Sequence, residues 1–482
     1  MKVRSLLAIA GMPLITCLLS AQETAPYQPR LTNNKGGGFQ DFPMGVLSAT
    51  GRLADGEREI LVIDVGKGGA AEQGGLRAED RIVSIGGRKC EPFSKSTETG
   101  VAGPQTDLAV AIEAACAADK SELKLEVRRA DKTIALVIPV PKSPAFAASF
   151  PEKCPKRKEY LAGIAAHLLA TQRNDGSWQP GVGGDADVYM SAFCTLALLA
   201  ADEEKSRPAI VRALGFLQRK SISQTDPKNP KGGPKNWQAA TTAMLLAEYQ
   251  LATGDKTYHS DLTKCCDFLA ARVTANGTMG HHFEIPYNGG GLVIINTQAH
   301  LAWALAAKCE YKIDQAAWDR SFKEVRGSID QKTGAIGYSS RAAWSPDIPA
   351  RTGAMAAALA IAGKEPKLAR QFADSLVKHQ GRMRHAHAMS SIGLIYGFAG
   401  LRLASPAGHQ EVMRKWMPYL ELCRNASGSA AYFGGKRNIG GDEYLGLEPI
   451  GNATVALVLA SPEGKLFLHG GTKQGWFGAG SR

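Results

Sequence analysis

The sequence predicts a multidomain chain in which a small α+β domain precedes an all-α domain of helix-pair repeats. Three observations predict this architecture. Short runs rich in β-branched residues, separated by turn residues, occupy residues 40–142, whereas apolar residues with helical spacing take over from residue 156. A turn of the form Gly-x-apolar then recurs between helices at a spacing of about 50 residues, which is typical of a helical repeat array.

The composition of the 482-residue chain is that of a folded protein, with 44% hydrophobic and 21% charged residues. These values exclude wholesale disorder, a collagen-like chain and a coiled coil. The net charge of +12 is spread along the sequence without a block of five or more Lys or Arg residues. A nucleic-acid partner is therefore not expected.

Residues 1–21 have the pattern of a secretory signal peptide. Lys2 and Arg4 form a basic start, residues 6–19 are mostly apolar, and Ala21 ends a small-residue cleavage site. We therefore expect a secreted or periplasmic protein. Residues 22–39 are predicted to be a flexible lead-in, and no later run is apolar enough to predict a transmembrane segment in the mature chain.

The first domain, 40–142, is predicted to contain five strands and a long helix. Strands are expected at 44–49, 59–65, 81–85, 123–128 and 133–140, and the helix at 107–118. Residues 62–87 pass from a strand through a Gly-rich turn and a short helix ending in Gly75 and Leu76 to another strand, and they resemble the core of a bacterial PDZ domain. The resemblance implies a small α+β fold that binds the C-terminal ends of peptides or proteins.

The same resemblance implies a site for the peptide carboxylate. Met44, Gly45, Val46 and Leu47 would form it, because Gly45 lets the backbone approach a carboxylate closely. The peptide would lie between this segment and the helix that carries Leu108. The alternative is that the groove is occluded and that the domain only packs on its neighbour.

A linker at 143–155 is predicted to lead to the helical domain, 156–462, and residues 463–482 form a C-terminal extension. Beyond the first outer helix, which begins near residue 156, first helices are expected near 207–220, 258–274, 315–330, 364–379 and 408–423. Second helices are expected near 188–201, 236–252, 291–308, 348–362, 386–404 and 446–460.

Five turns between paired helices share a glycine, and in four of them a large apolar residue two positions later can fill the gap between the helices, with Ala430 as the exception. The pairs are Gly176 and Trp178, Gly277 and Met279, Gly334 and Ile336, Gly381 and Met383, and Gly428 and Ala430. Each glycine follows a helix end, where a left-handed conformation is expected.

Residues 172–178, Gln-Arg-Asn-Asp-Gly-Ser-Trp, closely resemble the Gln-Trp motif of squalene-hopene cyclases. The helix pairs resemble the α/α-toroid superfamily, which also includes protein prenyltransferase β subunits and complement thioester domains. The resemblance implies an (α/α)6 toroid whose second helices form an inner ring around a cavity. The pairing with a PDZ-like domain also resembles a group of secreted bacterial proteins, which implies an architecture and no particular reaction.

The catalytic motifs of those relatives are incomplete or missing from the sequence. Asp185-Ala-Asp187 lacks the third acid of the Asp-x-Asp-Asp motif of the cyclases, and capping of a helix N-terminus is the alternative role for these acids. The Asp-x-Cys pair of the zinc prenyltransferases and the Gly-Cys-Gly-Glu-Gln of the thioester domains are absent. We therefore predict no metal and no cofactor.

A positional pattern supplies the candidate catalytic residues. His281, Tyr338, His385 and Tyr432 each lie four residues after a turn glycine. Equivalent positions in a closed ring have the same height, so these side chains are expected to converge at one end of the toroid. Tyr and His serve as acid and base in some toroidal polysaccharide lyases. The residues further expected to line the cavity are Asp185, Asp187, Trp237, His282, His300, His387 and Glu443.

Two classes of function remain open. The first is an exported binding protein, with a peptide or protein held by the PDZ-like groove and a further ligand, a glycan or lipid, in the toroid. The alternative is an exported enzyme of the glycan lyase or hydrolase kind with a His/Tyr site in the toroid cavity. The fold class does not choose between them, because function resides in the site.

Overall fold

The structure is a computed structural model that describes most of the chain. The described residues are 27–29, 31, 39–93, 103–178, 186–202, 204–283, 291–340, 348–385, 390–431 and 447–478. The predicted signal peptide and most of the predicted lead-in lie outside them. Within these ranges, each helix is either too short or too polar to span a bilayer.

The first domain is an antiparallel sheet flanked by two helices. Its strands follow the chain order, and each is hydrogen-bonded to the next. Leu123, Leu125 and Val127 alternate with exposed residues and point into the core, as the period of two in a strand requires. The strands are β1 (Phe39–Pro43), β2 (Ala49–Ala54), β3 (Ile60–Val65), β4 (Arg81–Ile85), β5 (Glu122–Arg129) and β6 (Lys132–Pro139), and the helices are α1 (Ala70–Gln73) and α2 (Pro104–Ala117).

The structure differs from the prediction at the start of this domain. The strand predicted at 44–49 is instead a 3-10 turn (Gly45–Leu47) between β1 and β2. Gly45 and Ser48 have φ angles of +61° and +57°, which an extended strand does not contain, so the chain reverses here. The predicted lead-in therefore ends in β1, a strand that the sequence pattern did not indicate.

The segment predicted as a linker, 143–155, is packed against both domains. Phe150 is fully buried, and its ring centre lies 4.8 Å from that of Phe146. The Phe146 N–H donates to Glu113 of α2, while the Phe150 carbonyl accepts a hydrogen bond from Arg414 of the helical domain. Residues 143–155 thus form a packed wedge between the two domains, with contacts to both, and not a flexible linker.

Beside this wedge, two cations share one buried carboxylate. The Glu421 carboxylate lies 2.6 Å from Lys156 Nζ and 2.6 Å from an Arg424 Nη atom, and the Lys156 and Glu421 side chains are 2% and 1% exposed. Arg424 also donates to the Cys116 Sγ atom on α2. Because an unpaired buried charge is costly, Glu421 holds this contact between the domains together.

The helical domain consists of helix pairs. The outer helices are α3 (Pro155–Thr171), α5 (Arg207–Lys220), α7 (His259–Ala271), α9 (Gln315–Gly327), α11 (Pro366–Lys378) and the two-part α13 (Pro406–Lys415) and α14 (Met417–Cys423). The inner helices are α4 (Ala186–Ala201), α6 (Asn236–Thr253), α8 (Val293–Lys308), α10 (Ile348–Ala362), α12 (Ser390–Ala404) and α15 (Leu447–Ala460). The last outer helix was predicted to be continuous at 408–423, but Pro418 has no N–H to continue the helical bonding, so the helix breaks there.

The inner helices close into a ring. Each contacts the next in order, and α15 contacts α4, so that the first and last pairs meet. Every residue of α6 from Asn236 to Ala252 is buried, which requires neighbours on all sides. The predicted (α/α)6 toroid of helix-pair repeats is confirmed.

The glycine turns hold the pairs together as predicted, with one exception. Gly176, Gly277, Gly334 and Gly428 have φ angles between +70° and +93°. Gly381 differs, since it lies inside a 3-10 helix (Gln380–His385) and not in the left-handed conformation. The residues two positions after the five glycines are all fully buried, namely Trp178, Met279, Ile336, Met383 and Ala430.

The predicted C-terminal extension crosses the end of the ring where the inner helices finish. A 3-10 turn (Phe467–His469) contacts α6, α10 and α12. The buried Glu248 carboxylate of α6 accepts the N–H groups of Phe467 (3.0 Å) and Leu468 (2.6 Å). Burial raises the pKa of Glu248 to about 7, although these two hydrogen bonds act to lower it. We call residues 464–478 the C-terminal strap.

Replacing Gly277 by Ala should lower the free energy of unfolding by about 3 kcal/mol, since left-handed strain and overpacking add. A Cβ there would lie 2.0 Å from the Arg320 carbonyl oxygen. Gly363 is the matched control, because its φ is +66° but nothing lies within 4 Å of a Cβ. Gly363→Ala should cost about 1 kcal/mol. Urea unfolding measures both, and equal losses would show that the close approach at Gly277 is unimportant.

Replacing Glu421 by Gln should lower the free energy of unfolding by about 3 kcal/mol, because two buried cations lose their shared partner. Lys156→Met should cost less, since Glu421 keeps Arg424. The control is Glu411→Gln, whose pair with Lys415 is 44% and 52% exposed and should contribute no more than about 0.5 kcal/mol. A loss for Glu421→Gln no larger than that of the control would contradict the expectation.

Candidate functional site

The segment predicted to hold a peptide carboxylate lies beneath the helical domain. Met44, Gly45, Val46 and Leu47 are all buried. A Cβ on Gly45 would lie 2.9 Å from the carbonyl oxygen of Glu421, so α14 covers this turn. Gly45 does permit a close approach, but the group that approaches is the backbone of α14.

The edge of β2 to which a peptide would add is occupied by β1. The two strands pair antiparallel along the whole of β1. Asp41 and Arg52 form an ion pair across them at 2.6 Å, and Gln105 of α2 reaches Gln40 of β1 at 3.4 Å. β1 therefore takes the place that β-strand addition would give a peptide. The structure has the occluded groove that was the alternative interpretation of the sequence.

His281 and Tyr338 occupy equivalent places at one end of the ring. The His281 carbonyl accepts the N–H of Asn236, the first residue of α6, at 2.8 Å. The Tyr338 carbonyl accepts the N–H of Val293, the first residue of α8, at 3.2 Å. Their equal offset from a turn glycine thus corresponds to an equal position along the ring axis. We call this end, at the N-termini of the inner helices, the mouth.

Trp237 and His281 form a stacked pair at the mouth. Their ring centres are 5.7 Å apart with 25° between the planes, and Trp237 Nε1–H donates to His281 Nδ1. Because an indole nitrogen can only donate, His281 Nδ1 is the unprotonated nitrogen, and Nε2 carries the hydrogen of the neutral ring. His281 is therefore a neutral hydrogen-bond donor through Nε2 and not a base at that atom.

A polar cluster lies on the ring axis next to this pair. The Trp237 ring meets that of Tyr189 edge-on at 6.0 Å. Gln298 Nε2 donates to the hydroxyls of Tyr396 (3.0 Å) and Tyr189 (3.5 Å). These side chains come from α4, α8 and α12, which are alternate helices of the ring. We call Tyr189, Gln298 and Tyr396 the axial cluster.

The axial cluster is dry and uncharged. Each of its residues is at most 3% exposed. Burial raises the pKa values of Tyr189 and Tyr396, which keeps both phenols protonated at neutral pH. The Gln298 Oε1 atom has no hydrogen-bond partner among the described residues. The cluster thus offers hydroxyl groups and an amide acceptor without charge.

Three other predicted residues lie at or near the mouth. Tyr338 is half-buried, with its ring centre 5.7 Å from the guanidinium carbon of Arg351 on α10. His282 is exposed. Asp187 is half-buried in the first turn of α4, where its carboxylate accepts the Val188 N–H at 2.8 Å, in agreement with the capping alternative.

The prediction that His300 lines the cavity was wrong. Its ring centre lies 4.2 Å from that of Trp318 and 5.9 Å from that of Phe322, both on the outer helix α9. Burial lowers the pKa of His300 to about 3, so the ring is neutral. Position 300 is on the face of α8 that packs against α9, whereas Gln298 faces the axis.

Several predicted residues cannot be placed. Asp185, His387, Tyr432 and Glu443 lie outside the described residues, as does the side chain of His385. The convergence of His281, Tyr338, His385 and Tyr432 therefore stays a prediction.

The axial cluster and one acid–imidazole pair were not predicted. His167 Nε2 on α3 binds Glu448 Oε1 in the first turn of α15, and Asn452 donates to the same oxygen at 3.1 Å. The available signal was a polar residue within an apolar inner helix, as Gln298 is in α8. Within the described ranges, no three His, Cys, Asp or Glu side chains are placed together to hold a metal ion.

The occupied groove predicts how β2 exchanges its amide hydrogens. Because β2 is bonded to β1 on one edge and to β3 on the other, amides at 50–53 should be protected. An open groove would leave those on the β1 side in water. Hydrogen–deuterium exchange of the full chain measures this, with the exposed turn residue Gly87 as the unprotected control. Fast exchange at alternate positions of β2 would show that β1 does not occupy the edge in solution.

Comparison with known proteins gives matches to two family models and to solved structures. A PDZ domain model matches residues 61–99. No curated protein matches the chain. A variant of the type II terpene cyclase MstE from Scytonema, in complex with merosterolic acid A, is 14% identical with a TM-score of 0.45, covering 63% of this chain and 96% of that one. The α-1,6-mannanase GH76A of Salegentibacter sp. HEL1_6 is 11% identical with a TM-score of 0.46, covering 63% and 98%.

The helical domain matches a further family model along nearly its whole length. That model, described as a domain of unknown function (DUF6288), covers residues 163–470. The match spans more than half of the 482 residues, and the chain belongs to this family, with a PDZ domain in front of the toroid.

Proposed function

We propose that the protein is exported and that its toroid binds a neutral saccharide at the mouth. The signal-peptide pattern of residues 1–21 supports export. One observation supports the binding proposal, namely the continuous set of aromatic and neutral polar contacts from Trp237 and His281 to the axial cluster. Sugars present apolar C–H faces that stack on aromatic rings, and hydroxyl groups that bond to neutral polar side chains.

The chemistry of these contacts favours a sugar over a lipid. A lipid would leave the buried Gln298 Oε1 atom without a hydrogen bond, which is unfavourable. Trp237 and the axial cluster carry no formal charge, and the charged side chains near them include Arg351 beside Tyr338, and Asp187 and Glu448 in the first turns of α4 and α15.

In this proposal the PDZ domain supports the last outer helix and does not capture a peptide. Its carboxylate turn is covered by α14, and β1 fills its groove. A peptide would have to displace β1, which the short turn at 44–48 keeps next to β2 at a high effective concentration.

One observation favours a second candidate, an enzyme that acts on the bound sugar. Asp187 and Glu448 each lie in the first turn of an inner helix, and their helices, α4 and α15, are neighbours in the ring. Two carboxylates at a sugar site can act as acid and base, or as acid and nucleophile, in glycoside hydrolysis. Cleavage of a bound sugar that is lost in Asp187→Asn would support the enzyme, and an unaltered sugar would support binding alone.

Binding is tested by titrating the full chain with neutral tetraoses, namely cellotetraose, maltotetraose, laminaritetraose and α-1,6-mannotetraose, using calorimetry and tryptophan fluorescence. We expect one of them to bind and Trp237→Phe to weaken its binding at least tenfold, because the stacking surface and the indole N–H are lost. Trp476→Phe is the matched control, since Trp476 lies in the C-terminal strap at the opposite end of the ring and is 8% exposed, as Trp237 is. Absence of binding by all four sugars, or equal weakening by the two substitutions, would contradict the proposal.

A further inference from the structure

The axial cluster crosses the ring. Its three side chains come from alternate inner helices, and the Gln298 amide bonds to both tyrosine hydroxyls. Phe193, one turn further along α4, packs on both tyrosines at ring distances of 4.8 Å and 6.2 Å. A chain-like ligand that enters at the mouth therefore meets a floor at this depth.

The opposite end of the ring is sealed independently. The Phe467–His469 turn of the C-terminal strap lies against α6, α10 and α12, and Leu466 and Leu468 are at most 1% exposed. The strap continues along the end of α6, where the Gly475 and Phe477 N–H groups bond to carbonyls of the last turn at 2.9 Å each. Among the described residues, the cluster and the strap thus lie across the ring at two different depths.

The floor has one unused hydrogen-bonding atom. Both hydrogens of the Gln298 amide are assigned to the tyrosines, and the Oε1 atom has no partner among the described residues although Gln298 is fully buried. A buried carbonyl oxygen without a partner costs stability unless a ligand group satisfies it. A sugar hydroxyl can donate to that oxygen, and because the axial cluster lies across the ring, the hydroxyl that reaches it belongs to the residue at the end of the chain.

We infer that the toroid binds the end of a saccharide chain and that Gln298 accepts a hydrogen bond from a hydroxyl of the terminal residue. The inference rests on the proposed function and specifies its ligand as a chain end rather than a chain interior. Gln298 is then the residue that distinguishes an open end from a blocked one.

The test uses the tetraose that binds best in the titration above and two capped forms of it. One form is the methyl glycoside, which blocks the reducing end, and the other carries a 4,6-O-benzylidene acetal on the terminal residue of the non-reducing end, which blocks that end. We expect one cap to weaken binding to the wild-type chain at least tenfold and the other to change it less than twofold.

Gln298→Leu should abolish the difference, so that the open tetraose binds as weakly as the sensitive capped form. The neighbouring Thr297→Val is the control, because the Thr297 hydroxyl bonds only within α8, to the Ile294 carbonyl at 2.9 Å. Thr297→Val should keep both the affinity and the preference for the open end.

The outcomes separate the two proposals. If no tetraose binds, the proposed function and this inference are both contradicted. If a tetraose binds and neither cap changes its affinity by more than twofold, saccharide binding stands and end recognition is overturned. If Gln298→Leu keeps the preference, the role of Gln298 is overturned. The capped sugars are tested on the wild-type chain, so that arm decides end recognition even if Gln298→Leu fails to fold.

Discussion

Closure of the inner ring is the constraint on which the rest of the structure depends. Inner helices such as α6 are buried around their whole circumference, so each needs a neighbour on both sides as well as an outer helix behind it. The ring closes where the first and last helix pairs pack against each other, and we call this contact the seam. There the backbones of Gly163 and Gly428 meet so closely that a Cβ on Gly163 would lie 2.8 Å from the Gly428 carbonyl oxygen. At the same seam, Arg157 reaches the Leu459 carbonyl at 2.7 Å.

Closure of the ring also determines where the side chains of the axial cluster, next to the mouth, lie. Tyr189, Gln298 and Tyr396 are far apart in sequence and meet only because α4, α8 and α12 face a common axis. The first domain also contacts the closing part of the ring. Its strand β1 and the 44–48 turn pack against α14, the last outer helix before the seam. In the function proposed above, a fold that binds peptides elsewhere acts as a support, in line with the general rule that a fold does not determine a function.

Helical periodicity and the glycine turns were enough to predict the helix pairs, because both express local rules, whereas closure into a ring was implied by the resemblance to the α/α-toroid superfamily. An inner helix must be apolar on all sides, and a glycine such as Gly277 is required wherever the backbone is left-handed. The strand β1 was not predicted because its partner β2 determines it, and Phe39–Pro43 has too little alternation to show a buried face. His300 and Gln298 show the same limit within one helix. Both are polar residues in an apolar run, and only the rotation of α8 between α9 and the axis decides which of them faces the cavity.

The bond between Glu248 and the C-terminal strap has a consequence for how the chain matures. Glu248 is joined to Phe467 across 219 positions of sequence, and Arg157 to Leu459 across 302. Neither contact can form until synthesis has passed the last inner helix, so α4 lacks its neighbour α15, and α6 lacks the strap, until the end of translation. Contacts of such long sequence separation make folding slow and leave apolar surface exposed in the meantime. In the export proposed above, this delay would leave the toroid unclosed until the last inner helix and the strap have been made.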